Sequence, residues 1–335
     1  MIIMKSLAQL KTLLIAFLFA TVLFTNGFAQ RGDDPTEVKT FQMIGPGSLF
    51  VESSGGGVVV EGSDRSDVKI MAYVRYKGKT LSADDPMLAE LSEKFEIIMK
   101  KNGSEIVAKV ERSLTSRPWN QIGVSFTVFT PRNMSCELTS NGGGVDVSGV
   151  SGKHEIESNG GGVNLEDMIG ATEARSHGGG VRANNQDGKI KLVSSGGGVS
   201  LTDGKGDVYA RSSGGGVRLE NIDGRIDASS SGGAVRIVGA APSVVAQSSG
   251  GSISMDISGL TKEVDLTTSG GGISAVIHDG KELGLDLDLK SQNVNIDLNN
   301  FSGVAKKDRV EGKSNGGGIP VYMRTSGGPI NVSFQ

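Results

Sequence analysis

From Ser140 onward, apolar and polar residues alternate in short bursts that return every 18 residues six times running, then after 20. Val145, Val163, Val181, Val199, Val217, Val235, Ile253 and Ile273 each open a burst, and a second apolar residue follows two places later, as in Val147, Leu165, Leu219 and Ile237. A looser burst lies nine residues further on, as in Ile190/Leu192, Val208/Ala210 and Ile226/Ala228. Alternation with a period of two marks strands. A glycine phrase such as SNGGGV, SHGGGV or SSGGGV precedes each first burst; its first glycines are Gly142, Gly160, Gly178, Gly196, Gly214, Gly232, Gly250 and Gly270. Gly152, Gly170, Gly188, Gly206 and Gly224 precede the second burst. Glycine punctuates turns, so each unit predicts two short strands with a glycine corner before each.

Strands of about four residues cannot bury an inner face alone, but identical strands stacked in register can. The period therefore predicts an all-β fold, a parallel β-solenoid or β-helix with 18-residue coils and two short strands per coil. A hexapeptide β-helix would need aliphatic residues where Asp187, Lys205 and Asp223 stand, and a calcium-binding nonapeptide roll would need Gly and Asp where the bursts are apolar; both are rejected. Ser140, Ser158, Ser176, Ser194, Ser212, Ser230 and Ser248 share the parity of the inward positions. They predict a buried ladder in which each hydroxyl donates to the next and accepts from the one before. The third corner position varies (Ala234, Ser252, Pro329), so any positive φ is expected at the first two glycines.

Upstream of the repeats the texture changes. Lys5 and Lys11 precede the apolar run Leu13–Phe24, and Gly27-Phe28-Ala29 fits a cleavage site, so residues 1–29 read as a secretory signal peptide. That places the chain outside the cytoplasm, in the periplasm, on the surface or secreted. Residues 30–139 read as a β-rich N-terminal cap or insertion, with strands around Val38–Met43, Ser48–Glu52 and Val68–Tyr76 and a hairpin turning at Asn102-Gly103. Asp84-Asp85-Pro86 starts one short helix near 86–95. Residues 140–335 read as the Gly-rich solenoid, with a looser period after Gly270 that suits a terminal cap.

The chemistry is sparse. A net charge of −3 argues against a nucleic-acid partner, which would call for a clustered basic excess. The single Cys136 lies in a strand and reads as a buried thiol. His154, His177 and His278 fall on different lines and read as solvated or corner residues; no metal site and no cofactor are expected. Arg31-Gly32-Asp33 matches an adhesion tripeptide that three common residues reach by coincidence. Outward acids are scattered, without the carboxylate pair of a glycosidase, so no enzymatic activity is expected. One outward pattern stands out: Arg182, Arg218 and Arg236 share one position of their units, and Arg175 and Arg211 share another. Stacked at coil spacing, these rows suit a repeating anionic polymer; local pairs such as Arg218 with Glu220 are the competing reading.

With the signal peptide, the Thr130-Pro131-Arg132 entry into the repeats and the Gly-Gly-x-Val corners assembled, residues 38–335 resemble the bacterial "putative adhesin" family of exported Gly-rich solenoids. The resemblance implies attachment or binding at the cell envelope and supplies no catalytic residues. The expected function is a non-enzymatic envelope or surface protein that binds an envelope polysaccharide or a surface protein along its length. The alternatives are an element that assembles end to end through exposed coil edges, and a carbohydrate-active enzyme.

Overall fold

The computed structural model describes residues 34–112 and 121–335, in which 29 strands and one short helix form a single hydrogen-bonded stack. The signal-peptide reading and the Arg31-Gly32-Asp33 tripeptide lie outside the described residues. Near the N-terminus, β1 (Glu37–Gln42) leads to β2 (Gly47–Ser53) and β3 (Gly55–Ser63), which together make one coil. An excursion follows: β4 (Asp67–Tyr76), β5 (Lys79–Leu81), helix α1 (Met87–Leu91) and β6 (Phe95–Asn102). Then β7 (Glu105–Arg112) lies parallel to β2, and β8 (Ile122–Pro131) parallel to β3, as a second coil outside the first.

The chain then returns to the other side of β2 and β3 with β9 (Met134–Ser140) and β10 (Val145–Ser148). The excursion is what closes this end, because β4 packs antiparallel on β8 and β6 antiparallel on β7. The helix is shorter than the sequence suggests. It stops at Leu91 because Phe95 already pairs with Arg112 in the β6–β7 hairpin and turns its ring into the core. The hairpin turn is also displaced by one residue: Asn102 pairs with Glu105, leaving Gly103 (φ 61°) and Ser104 as the loop.

From here the repeat runs without interruption: β11 (Ser151–Ser158), β12 (Val163–Ser176), β13 (Val181–Asp187), β14 (Ile190–Ser194), β15 (Val199–Lys205), β16 (Val208–Ser212), β17 (Val217–Asp223) and β18 (Ile226–Ser230). It continues through β19 (Val235–Ala240), β20 (Ser243–Ser248), β21 (Ile253–Ser258), β22 (Glu263–Thr268) and β23 (Ile273–Ile277). Two parallel sheets result. The first carries β10, the start of β12, β13, β15, β17, β19, β21 and β23, with Val145, Val163, Val181, Val199, Val217, Val235, Ile253 and Ile273 in one register. The second carries β9, β11, the end of β12, β14, β16, β18, β20 and β22. The inward positions of both sheets are buried and fill one continuous core, each Val or Leu contributing roughly 1.5–3 kcal/mol.

The serine column is buried, as expected, but its bonding differs. Ser194 Oγ lies 2.8 Å from the carbonyl of Gly179 in the preceding coil and 2.9 Å from that of Gly197 in its own. It also accepts the Gly197 N–H at 3.1 Å. The same contacts recur at Ser158, Ser176 and Ser212, so the hydroxyls bond the corner backbone rather than one another. A tight corner leaves glycine carbonyls inside the stack, and each must find a donor.

The corner glycines are a second correction. From Gly142 to Gly272 positive φ falls not on them but on the glycines before the second burst, such as Gly188 (127°) and Gly206 (110°). At the corner, glycine is required because coils approach too closely: a Cβ on Gly197 would sit 2.6 Å from the backbone nitrogen of Gly180.

At the C-terminal end the threading is again out of order. β24 (Leu285–Lys290) and β25 (Val294–Ile296) are laid down first, then β26 (Phe301–Ala305) and β27 (Arg309–Ser314). Only then do β28 (Ile319–Thr325) and β29 (Ile330–Phe334) slide between them and the repeat, β28 between β22 and β24, β29 between β23 and β25. β27 closes β24 antiparallel, and β26 closes β27. Antiparallel strands thus cover much of both ends of the solenoid, which limits the parallel edge offered to another coil.

Candidate binding faces

Alternation forces every second side chain of each sheet outward, and the register fixes which outward side chains become neighbours. On the first sheet one outward column reads Asp146, Asn164, Arg182, Ser200, Arg218, Arg236 and Ser254. Ser200 therefore separates Arg182 from Arg218, and only Arg218 and Arg236 occupy adjacent coils. Their charges meet at one carboxylate: Glu220 Oε1 lies 2.7 Å from Arg218 Nη2 and 3.5 Å from Arg236 Nε. The hydrogen bond from Arg218 holds the Glu220 carboxyl below its ordinary pKa, with Arg236 adding to the effect. Arg182 has no ion-pair partner among the described residues.

Arg175 and Arg211 belong to the second sheet, on the other side of the glycine corner, with Val193 between them in the column. The two arginine rows thus leave from different sheets. Arg175 is tied to Glu173, which also accepts from Lys191 at 3.0 Å; these bonds, Lys191 first, lower the Glu173 pKa against a modest desolvation. Arg211 has a different neighbour. Its guanidinium carbon stands 4.5 Å from the ring centroid of Tyr209, and Lys191 Nζ stands 5.9 Å from the same ring. Residues two apart on a strand share a side, so the Tyr209/Arg211 spacing carries this contact in the sequence.

The histidines divide. His177 pairs with Glu157 at 3.3 Å and His278 with Asp256 at 2.8 Å, both at the surface. His154 overturns the expectation of a solvated residue: it is buried between Cys136 and Thr172 in the inward column of the second sheet, and neither ring nitrogen is hydrogen-bonded. Burial pulls its pKa below the ordinary imidazole value. The backbone of Ile169 opposes this only in part, without hydrogen-bond geometry. The Cys136 thiol is buried as expected, and desolvation pushes its pKa up to about 12, which leaves it unreactive.

A third outward feature lies at the second corner and escaped the sequence reading. Asp167, Asn185, Asp203 and Asn221 occupy equivalent places in four successive coils, all with left-handed backbone (φ 50–56°). Asn185 donates to Asp167, and Asn221 to Asp203. Their signal in the sequence is an Asp/Asn alternation at the 18-residue period. Among the described residues no group of three His, Cys, Asp or Glu side chains is placed to hold a metal ion, and no helix is long and apolar enough to cross a membrane.

No family model and no curated protein matches the chain. Solved structures match it, among them three that align along most of its length. One from Clostridium sporogenes, named a "putative cell adhesion protein", is 11% identical with a TM-score of 0.19, covering 89% of this chain and 99% of its own. A "putative lipid binding protein" from Parabacteroides distasonis is 11% identical with a TM-score of 0.37, covering 90% and 98%. A "putative adhesin" from Bacteroides fragilis is 11% identical with a TM-score of 0.29, covering 89% and 96%. At these scores the alignments identify no shared site.

Proposed function

We propose that this chain is an exported, non-enzymatic binding solenoid of the cell envelope or cell surface, related in role to the "putative adhesin" family that its repeats resemble. The observation that carries this reading is the register of the outward columns. Over the repeat, each outward position recurs at ~4.8 Å, so the repeat offers a ruled surface. A surface that repeats suits a partner that repeats, and many weak contacts along a polymer add up through effective concentration. The partner class is an envelope polysaccharide. In this reading residues 1–29 direct export and are removed, residues 30–139 cap the stack, and residues 140–335 supply the binding length.

The test is fractionation of cells producing the chain, N-terminal sequencing of the exported product, and pull-down on envelope polysaccharide. The expected result is a product beginning at Gln30 in the envelope or medium that captures polysaccharide. A cytoplasmic, uncleaved chain that captures none would overturn the proposal.

A further inference from the structure

Among the five arginines singled out by the repeat, the carboxylates already present decide which are available. Arg175, Arg218 and Arg236 are each bound to a glutamate on their own face. An arginine neutralised in this way must break that pair before it can take an external anion. Arg182 is also unpaired among the described residues, but it stands alone between Asn164 and Ser200 in its column, whereas Arg211 is held by an aromatic neighbour. The Tyr209 ring positions its guanidinium through a cation–π contact at 4.5 Å, and no carboxylate lies within ion-pair distance among the described residues. A ring quadrupole orients a guanidinium while leaving its full charge and its N–H donors free.

The surroundings reinforce this. Lys189, Asp207 and Arg225 hold the equivalent outward place in three successive coils, just before the inward residues Ile190, Val208 and Ile226. All three are exposed, and neither cation has an ion-pair partner among the described residues. On β14, β16 and β18 and the residue before each, the outward charged residues are Lys189, Lys191, Asp207, Arg211, Arg225 and Asp227; with Lys191 already paired to Glu173, three unpaired cations stand against two carboxylates among the described residues. This excess stands on a chain whose net charge is −3. Along the strand direction Arg211 lies four residues from the level of Lys189 and Arg225, about 13 Å in extended backbone, with Tyr209 midway.

We infer that the outward face of the second sheet around Tyr209 is a binding site for an acidic saccharide. This inference rests on the proposed polysaccharide-binding role and names the face and the chemistry. Arg211 is the binding residue for a carboxylate or sulfate on one sugar. Lys189 and Arg225 meet an anionic group further along the same chain, and Tyr209 positions Arg211 and offers ring edge to the sugar. The charge pattern favours an acidic saccharide over a lipid surface, because the outward residues beside Arg211 in its column are the half-buried Val193 and Ser229, which give a bilayer no protruding apolar anchor.

The test uses the purified chain on immobilised polyuronate, dextran sulfate and neutral dextran, together with sedimentation of phosphatidylglycerol vesicles. The expected result is salt-sensitive retention on one or both anionic polymers, which separates carboxylate from sulfate, and none on neutral dextran. Arg211→Ser should weaken retention about tenfold, the loss of one charge-assisted contact. The double variant Lys189→Ser/Arg225→Ser should weaken it comparably, and Tyr209→Ala several-fold while Tyr209→Phe retains binding. Circular dichroism of each variant should match the parent. If these substitutions change nothing while Arg182→Ser/Arg218→Ser/Arg236→Ser abolishes retention, the site is on the first sheet and this inference fails, although polysaccharide binding stands. Capture of envelope polysaccharide without retention on either anionic polymer overturns the inference alone. Vesicle binding in the absence of polymer binding overturns it in favour of a lipid surface.

Discussion

The side-chain amide of Asn221 donates to the carboxylate of Asp203, one coil earlier, at 3.0 Å, and the two residues share a left-handed backbone with φ of 55° and 56°. Asn and Asp tolerate this region better than other residues with a Cβ, and the equivalent place in an earlier coil is filled by Gly149. Alternating Asp with Asn also avoids stacking two carboxylates at coil spacing. Asn221→Gly should therefore lose only the hydrogen bond. Asn221→Ala loses the bond and forces alanine into the left-handed region, costing about 1 kcal/mol more. Urea midpoints of the two variants measure the difference; an alanine variant as stable as the glycine one would refute the backbone argument.

Close approach between coils makes a different prediction at the glycine corner. A Cβ at Gly197 would meet backbone at 2.6 Å, whereas the next corner position already accepts Ala234 and Ser252 in other coils. Backbone cannot swing aside as a side chain can, so Gly197→Ala should cost ~1–3 kcal/mol, the range of an overpacked core, and Gly198→Ala clearly less. Thermal melts of both variants give the answer. Equal shifts would mean that the coils part to admit a methyl group anywhere along the corner.

These two corners show what could be read from the residues alone. The inward columns were legible because a fixed period and strand parity determine them locally, and the structure buries Val181, Val199, Ile190 and Leu192 accordingly. The reason for the corner glycines was not, since the clash at Gly197 comes from Gly180, in the neighbouring coil. Bond direction was hidden for the same reason: parity turned Ser194 inward, but only the folded corner shows glycine carbonyls waiting for its hydroxyl. The ends were hardest. That β28 enters between β22 and β24 depends on an insertion after the outer strand is laid down, which no local pattern encodes. In the candidate site the arginines were found by periodicity, while their division into neutralised and free depended on Glu173, Glu220 and Tyr209, which follow no period.

His154 predicts a pH dependence of stability. It is buried without hydrogen bonds, with the Cys136 thiol and Thr172 hydroxyl as its column neighbours, and its folded pKa lies below the ordinary 6.5. The unfolded chain then takes up a proton that the folded chain refuses. Stability is fully present above about pH 6.5 and is lost as pH falls through the lower folded value. His154→Leu places an aliphatic residue in a column that already holds Ile190 and Ile226, and should flatten the acid limb. Melting temperatures at pH 7.5 and 5.5 would decide. A leucine variant that loses as much stability as the parent between those values would clear His154 of any part in it.

Glu220 predicts how the first-sheet arginines respond when released. Its carboxylate is the group that lets Arg218 and Arg236 stand in adjacent coils, accepting from both. With its pKa held down chiefly by Arg218, it is ionised wherever an ordinary glutamate is, so mild acid does not free the pair. Glu220→Gln removes the charge at nearly constant shape and leaves two guanidinium groups facing each other at coil spacing. Because all three groups are in contact with solvent, the melting temperature should hardly move, and the small loss at low ionic strength should vanish in high salt. Retention on an anionic polymer should increase, since two neutralised arginines become available on a face that contributed little before. The increase should disappear when Arg218→Ser and Arg236→Ser are added to Glu220→Gln, while the contribution of Arg211 on the other sheet persists. Retention that stays at the parent level in Glu220→Gln would mean that the glutamate was never what kept these arginines from an external anion.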